Sequence, residues 1–350
     1  YVEVIKYEDA PYSGDISIPE TITFFGKVYS VTAIGANAFQ DCTELTSVVI
    51  PQSVTLIRDS AFQNCTGLTS IKIPASVKEI GNDAFKDCTG LTKVIVPDIA
   101  AWCRILFKGE SNGLWSWSYA NPLRYARHLY NDNDTEIKNL IIPNEVTYIS
   151  EHAFSNCSYI ESVTIPNSVT SIGEAAFQGC TSLTSIKIPN SVTQISKYAF
   201  SDCSSLETVI LPENITRIND NLFYYCTSLK NITIPQSVTY IAYQSFCECK
   251  SLTTITIPSN VSYIGFMAFS RCNKLNTVVS LCETPPTLGK SNGTESVFGT
   301  GYHSQAYLFV PLGCKEKYLN YGQDNTNKRW GTSAFSDIFE FDPNKGEYYS

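Results

Sequence analysis

The chain has 350 residues and a formal net charge of −8, with 43% hydrophobic and 17% charged residues. The apolar content is sufficient for a continuous core, and the negative charge argues against nucleic acid or an anionic membrane surface as a partner. No apolar run approaches the 18 residues of a membrane-spanning helix, so no membrane span is predicted.

A 23-residue period dominates the sequence from its first phenylalanine marker onward. Each marker phenylalanine is followed three residues later by a cysteine. The markers are Phe39, Phe62, Phe85, Phe154, Phe177, Phe200, Phe223, Phe246 and Phe269. So strict a period is typical of a solenoid whose units bury each other's apolar faces. We therefore predict one repeat solenoid over residues 45–279, and expect any specific activity to lie where the pattern breaks.

Residues 160–182 illustrate a single repeat. Val163 and Ile165 alternate with polar residues, which predicts a strand with one buried face, and Pro166 ends that strand. Val169 and Ile172 predict a second extended segment on the opposite wall, and Ala176-Phe177 a short helical turn. The predicted fold is an α/β solenoid with a parallel sheet on its concave side and short extended and helical turns on its convex side. Ten strands are expected to begin at Leu45, Leu68, Leu91, Ile137, Ile160, Leu183, Leu206, Leu229, Leu252 and Leu275.

The period breaks between Pro97 and Pro143, and residues 98–136 are predicted to form one enlarged repeat. The segments 98–107 and 121–130 have the pattern of two short helices that begin at Asp98 and Asn121. Between them lie Trp115, Trp117 and Tyr119. The sequence favours packing of these rings over the two helices as a local core. Aromatic residues on loops are also frequent in recognition surfaces, so the alternative is a loop that binds protein or carbohydrate.

The repeat L-x-x-L-x-I-P-x-x-V-x-x-I-x-x-x-A-F-x-x-C resembles the BspA-like leucine-rich repeat of Bacteroides-type surface proteins. The resemblance extends over roughly residues 12–340 and implies a cap at each end, which a solenoid needs for solubility. The N-terminal cap and first repeat are expected within residues 1–44, and the C-terminal cap within residues 280–350. The resemblance also implies adhesion to host matrix proteins or other cells, and a cell-surface or secreted location with any signal or lipid anchor removed.

The thirteen cysteines are expected to be mostly free, buried thiols. Nine keep the period and should point into the core with parallel Cβ directions, which suits small hydrophobic residues better than disulfides. The other four are Cys103, Cys247, Cys282 and Cys314. A bridge between Cys282 and Cys314 within the C-terminal cap is left open.

No catalytic residue, metal site or cofactor is predicted. The three histidines, His128, His152 and His303, lack the spacing of a metal-binding helix, and His152 is expected to face solvent. Phosphate-binding, dinucleotide-binding and serine-hydrolase motifs are also missing from the sequence.

The outward-facing strand residues predict a weakly charged, hydroxyl-rich concave surface. This surface suits an extended partner, although a merely solvated face of β-branched residues has the same composition. The resemblance implies that such a partner is an extracellular protein of the host-matrix type. A monomeric, non-catalytic binding protein is therefore expected. The alternatives are a structural stalk, or a glycan-binding module that uses the Trp115/Trp117 loop. The candidate contacts on the concave face are Lys72, Ile95, Thr164, Lys187 and Ile210.

Overall fold

The computed structural model describes residues 1–7, 11–111, 116–117, 119–289, 297–299, 306–321, 330, 335–342 and 347–349. For residues 110–111, 116–117 and 347–349 it describes the backbone only. The chain divides into two compact units, residues 1–168 with 172–181, and residues 169–171 with 182–350.

The first unit contains short strands and two helices of one turn each. They are β1 (Val2–Val4), β2 (Gly14–Ser17), β3 (Thr21–Phe24), β4 (Lys27–Ile34), β5 (Leu45–Val49), β6 (Leu56–Ile57), β7 (Ser70–Lys72), β8 (Glu79–Ile80), β9 (Lys93–Ile95), α1 (Ile99–Trp102), β10 (Leu106–Phe107), β11 (Glu110–Ser111), β12 (Ser116–Trp117), α2 (Leu123–Ala126), β13 (Leu129–Tyr130), β14 (Asn139–Ile141), β15 (Tyr148–Ile149) and β16 (Ser162–Thr164). Strand β17 (Ser171–Ile172) lies where the chain is divided.

The second unit repeats the same pattern and ends in longer strands. Its elements are β18 (Ser185–Lys187), β19 (Gln194–Ile195), β20 (Thr208–Ile210), β21 (Arg217–Ile218), β22 (Asn231–Ile232), β23 (Tyr240–Ile241), β24 (Thr254–Ile257), β25 (Tyr263–Ile264), β26 (Thr277–Ser280), β27 (Thr287–Leu288), β28 (Tyr307–Pro311), α3 (Lys315–Leu319), β29 (Asp337–Asp342) and β30 (Glu347–Tyr349).

One ladder of parallel strands, which we call the strand ladder, carries the main alternation of buried and exposed side chains. In the first unit β7 pairs with β9 and β14 with β16, and in the second β18 pairs with β20 and β24 with β26. The predicted strands are confirmed, although most begin two residues later than expected. The reason is that the leucine closes the preceding turn: the Leu206 amide donates to the Cys203 carbonyl at 3.0 Å.

The second extended segment of each repeat is also confirmed, as strands of two residues. In the first unit the pairing runs β4–β6–β8–β10, and in the second β21–β23–β25–β27. In the second unit each such strand buries one aliphatic side chain, in the register Ile218, Ile241, Ile264 and Leu288. The pairing forms a second ladder, separate from the strand ladder, as the sequence predicted.

Hydrogen-bonded turns around each marker phenylalanine form a third ladder, which we call the turn ladder. The residues two before and two after the phenylalanine have positive φ, as in Asn221 (54°) and Tyr225 (60°) on either side of Phe223. Because of these left-handed residues, the segment is a series of short turns instead of a continuous helix. Alternate amides point to the following repeat: Asn221, Phe223 and Tyr225 donate to carbonyls at 2.9, 2.8 and 2.9 Å.

The marker phenylalanines form buried columns whose rings stack on their neighbours. Phe39, Phe62 and Phe85 are 5.0 and 5.1 Å apart between ring centroids, and all three are fully buried. In the second unit the column continues beyond the last marker to Phe298, which lies 5.6 Å from Phe269 and contacts Trp330. The period does not reveal Phe298, because 29 residues separate it from Phe269.

The periodic cysteines are free and buried, as predicted, and they have a specific role in the turn ladder. Cys226 Sγ lies 3.1 Å from the carbonyl of Phe200, and Cys249 Sγ lies 3.2 Å from that of Phe223, one repeat earlier. The thiol therefore donates to a buried carbonyl that no longer contacts water. The bridge left open between Cys282 and Cys314 does not form, since both thiols are free.

The sequence predicts that the phenylalanine column carries much of the stability. Because Phe200 is fully buried and stacks on Phe223 at 5.9 Å, Phe200→Ala should lower the free energy of unfolding by about 3–5 kcal/mol. The exposed Thr164 provides the control, and Thr164→Ala should change it by less than about 0.5 kcal/mol. Chemical denaturation measures both, and equal effects of the two variants would contradict the assignment of Phe200 to the core.

Candidate functional site

The outward-facing residues of the strand ladder in the first unit form a surface that we call the first strand face. Lys72 and Thr164 are exposed on it, while Ile95 is half-buried beside Tyr130 of β13. Ile141, which pairs with Thr164, is 68% exposed. Sequence reasoning missed Ile141, because the run Leu140-Ile141-Ile142 does not alternate and so does not show which side chain faces outward.

Residues 98–136, which interrupt the 23-residue period, are called the break. A loop from the break covers part of this face. Asn131 Oδ1 accepts hydrogen bonds from the amides of Asn133 and Thr135, both at 3.0 Å, which orders the loop after β13. The loop returns two carboxylates to the strands, where Lys72 pairs with Asp132 and Lys93 with Asp134. Exposed pairs of this kind stabilise a fold only slightly, so they mainly determine which charges the face presents.

The corresponding surface of the second unit, the second strand face, is rich in hydroxyl groups. Lys187 is exposed on β18 and lies beside Ile210 of β20, which is 58% exposed. The following strands present Asn231, Thr254, Thr256 and Thr277. The predicted residues Lys187 and Ile210 therefore lie together, as neighbours in register.

This second face ends in an aromatic cluster formed by Tyr307, Phe309 and Phe339. Phe309 and Phe339 are register partners whose rings stack at 5.5 Å, and Tyr307 meets Phe339 edge-on at 5.7 Å. Tyr307 is 45% exposed, and the other two rings are half-buried. Sequence reasoning assigned this segment to the cap. The alternation Tyr307-Leu308-Phe309-Val310 is the signal that could have placed the two rings on the outward face.

The predicted aromatic loop is only partly within the described residues. Trp115 lies outside them, and Trp117 is described only as backbone in β12, which pairs antiparallel with β11. Tyr119 is half-buried, and its ring lies 4.5 Å from the Arg124 guanidinium and 5.5 Å from the Lys86 ammonium. A recognition role for Trp115 and Trp117 remains a prediction.

The break continues the ladders with irregular elements. The predicted helices are shorter than expected: α1 ends at Trp102 and α2 at Ala126, and the residues after them form β10 and β13. Asp98 is the N-cap of α1 and accepts from the Ala101 amide at 2.9 Å. Strand β10 then pairs with β8 in the second ladder, and β13 pairs with β9 in the strand ladder.

Main-chain and side-chain groups of the break replace the missing turn in the turn ladder. Phe85 would normally donate to the next turn, and its amide donates instead to the Tyr119 carbonyl at 3.0 Å. The Asp87 amide donates to the Tyr125 hydroxyl at 2.8 Å. On the other side, the indole N–H of Trp102 donates to the Ala153 carbonyl at 2.7 Å. Both ends of the interrupted ladder are thus satisfied by residues of the break.

His152 does not face solvent as expected. It is only 6% exposed, because its left-handed backbone belongs to the turn ladder and its amide donates to the Glu174 carbonyl at 2.8 Å. Its own carbonyl accepts from Asn121 Nδ2 at 2.7 Å, which attaches the break to the next turn.

The buried thiols lack the chemistry of catalytic nucleophiles. Burial raises the pKa of Cys103 from its ordinary 9.0 to about 12, and burial also raises the pKa of Cys157 and Cys180. Such thiols stay protonated at neutral pH and are therefore unreactive. Within the described part of the chain, no group of three or more His, Cys, Asp or Glu residues is placed to hold a metal ion.

The profile of the BspA type leucine-rich repeat region matches six copies in this chain, over residues 15–111, 129–227 and 216–289. The chain belongs to this family. The unmatched residues 112–128 fall inside the break, where the sequence departs from the BspA-type repeat. Proteins built from leucine-rich repeats of this kind are generally binding scaffolds.

Several solved structures resemble this BspA-type chain. A leucine-rich cell surface protein of Faecalibacterium prausnitzii A2-165 is 27% identical, with 79% of this chain and 90% of that chain covered and a TM-score of 0.39. A leucine-rich repeat protein of Bacteroides ovatus ATCC 8483 is 22% identical over 96% and 94%, with a TM-score of 0.42. One from Eubacterium ventriosum ATCC 27560 is 20% identical over 75% and 77%, with a TM-score of 0.49.

No curated protein matches the sequence significantly. In the described parts of the chain, no helix combines the length and apolar character needed to cross a membrane.

If the break replaces a turn of this BspA-type ladder, removal of a single hydrogen-bond donor of the break should measurably lower the free energy of unfolding. Trp102 is 1% exposed, and Trp102→Phe keeps most of its packing but removes the bond to Ala153. The variant should lower the free energy of unfolding by about 1–3 kcal/mol, since the buried Ala153 carbonyl loses its shorter hydrogen bond and keeps only the one from Asn121 Nδ2 at 3.3 Å. The control Tyr148→Phe alters a largely exposed ring and should have no such effect. Equal stability of wild type and Trp102→Phe in urea denaturation would refute this role.

Proposed function

We propose that this chain is a non-catalytic binding protein that recognises an extracellular protein partner through its two strand faces. The observation that carries the proposal is the aromatic cluster of Tyr307, Phe309 and Phe339 at the end of the hydroxyl-rich second face. Aromatic side chains are frequent hot spots of protein interfaces, and Tyr contributes a large contact area with few rotatable bonds.

The chemistry of the faces favours a protein ligand. Isolated apolar side chains, Ile141 on the first face and Ile210 on the second, stand among hydroxyl groups, which resembles the mixture of apolar and polar contacts in transient interfaces. Lys72, Thr164 and Lys187 add donors at the sides of these apolar points. The unpaired main-chain groups of such a partner would find many hydroxyl partners on either face.

We further propose that the partner is a host matrix protein or a protein of another cell, and that the chain works at the cell surface or after secretion. This part of the proposal rests on the family to which the chain belongs, since BspA-like repeats are typical of surface proteins. It assigns adhesion as the biological role, with Ile95 and Tyr119 as further candidate contacts.

Two alternatives remain as separate outcomes. A structural stalk would present another module and bind nothing through its strand faces. A glycan-binding module would use Trp115 and Trp117, which favour sugars because indole rings stack on the apolar faces of pyranoses.

The proposal predicts a saturable ligand on an array of purified host matrix proteins and glycans. Because the aromatic cluster is the proposed anchor, Phe309→Ala and Tyr307→Ala should weaken binding of the matrix protein at least about tenfold, which is 1.4 kcal/mol. Ile210→Ala should weaken it less. Surface plasmon resonance with each variant measures these changes, and Tyr148→Ala, a change of an exposed ring outside the strand ladder, is the matched control.

The other outcomes of this experiment favour either the structural stalk or the glycan-binding module. The absence of any saturable ligand on the array would contradict adhesion and favour the stalk. A glycan signal that Trp115→Ala or Trp117→Ala abolishes, with Phe309→Ala unaffected, would favour the glycan module.

A further inference from the structure

A polar cleft in the second unit lies where its turns stop repeating. Its volume is about 500 Å³, which is within the usual range for sites of small molecules. One side is formed by residues 259–262, which connect β24 to β25. The other side is formed by residues 281 and 283–287, which lie between β26 and β27 and in β27. The cleft is separate from the strand faces and from the aromatic cluster.

In the second unit, the turns that lead from the strand ladder to the second ladder are joined by a series of side-chain hydrogen bonds. These turns are distinct from those of the turn ladder. Asn214 Nδ2 donates to the Asn190 carbonyl at 3.4 Å, and Ser237 Oγ donates to the Glu213 carbonyl at 2.6 Å. Asn260 Nδ2 then donates to the Gln236 carbonyl at 2.8 Å. The donors are 23 residues apart, so each turn supplies a donor to the carbonyl of the turn before it.

The next residue in this series is Glu283, and a carboxylate cannot donate a hydrogen bond. The thiol of Cys282 takes over at two nearby acceptors, the carbonyls of Pro258 at 3.0 Å and Val261 at 3.5 Å. Within the described residues, the Ser259 carbonyl receives no donor and the Glu283 carboxylate has no partner. The cleft therefore brings together two acceptors at the position where the three preceding turns have a donor, Asn214, Ser237 or Asn260.

The rest of the lining indicates which ligand fits. Ser259, Ser262, Thr284 and Thr287 contribute hydroxyl groups, and Val261, Leu281, Pro285 and Pro286 contribute apolar surface. A ligand that satisfies such a lining carries several hydroxyl donors as well as an apolar face. Anions are disfavoured, because Glu283 is the one charged residue among the described residues that line the cleft.

A cationic ligand is disfavoured as well. Lys317 Nζ lies 3.1 Å from the Glu283 carbonyl and so places a positive charge beside the cleft. A single exposed carboxylate also attracts a cation only weakly in water. A neutral polyhydroxylated molecule avoids both the repulsion of an anion by Glu283 and the repulsion of a cation by Lys317. It can also offer paired hydroxyl donors to the Glu283 carboxylate.

We infer that this cleft binds one neutral saccharide unit, with Glu283 and the Ser259 carbonyl as the acceptors of its hydroxyl groups. The inference does not depend on the proposed adhesion role, because it concerns another surface and another class of ligand. It also differs from the glycan alternative, which would use Trp115 and Trp117.

Saturation-transfer NMR and calorimetry with the methyl glycosides of glucose, galactose, mannose and N-acetylglucosamine test this inference. At least one glycoside should bind saturably, with a Kd in the millimolar range or tighter, about −4 kcal/mol at 1 mM. Glu283→Gln keeps the shape but removes the charged acceptor, and should weaken binding at least about tenfold. Glu213→Gln, which changes an exposed glutamate of a regular turn, is the matched control and should bind as wild type does.

Two further variants separate loss of the site from loss of the fold. Thr284→Tyr fills the cleft from an exposed position and should abolish binding without lowering Tm. Glu283→Asn supplies the amide donor that the earlier turns use, and should abolish binding while Tm stays equal or rises. No saturable glycoside binding to the wild type would overturn the inference. So would binding that Glu283→Gln leaves unchanged, or binding that requires added calcium.

Discussion

The structure depends on one recurring contact, in which the marker phenylalanine amide and its two alternate neighbours donate to carbonyls of the following repeat. Two left-handed residues around each phenylalanine make this possible, because they turn every second amide in one direction. The phenylalanine side chain then lies directly over that of the next turn. The periodic cysteine belongs to the same arrangement, since its thiol donates to the phenylalanine carbonyl one repeat earlier. The stacking of the phenylalanine rings, the hydrogen bond of the cysteine thiol and the amide bonds of the turn ladder all join neighbouring repeats. All three therefore require the same repeat length.

A ladder of this kind cannot be interrupted without replacing its donors and acceptors, and this requirement explains the break. Tyr119 and Tyr125 accept the amides of the turn before it, while Trp102 and Asn121 donate to the turn after it. The same logic applies at Glu283, where a donor of the regular series is replaced by an acceptor and a cleft opens.

Much of the fold could be predicted because burial repeats with the sequence period: Val163, Phe177 and Cys180 are buried as their positions require. What could not be predicted depends on backbone conformation or on distant partners. Ala175 and Tyr198 have left-handed backbones that their residue types do not favour, so the turns were expected to be helical. His152 is buried because its left-handed backbone belongs to the turn ladder, and Asn121, 31 residues away, binds its carbonyl. Phe339, the ring partner of Phe309, is 30 residues away on β29, and the sequence does not show that the two strands pair in this register.

Native-state hydrogen exchange of the phenylalanine amides tests the central role of the turn ladder most directly. The amides of Phe62, Phe154, Phe223 and Phe246 each donate to the following repeat at 2.8 Å. If the ladder holds the repeats together, these amides should exchange only when their unit unfolds, with a protection free energy equal to the free energy of unfolding measured by denaturation. Exchange of these amides through local fluctuations, with a protection free energy far below that of unfolding, would contradict the account.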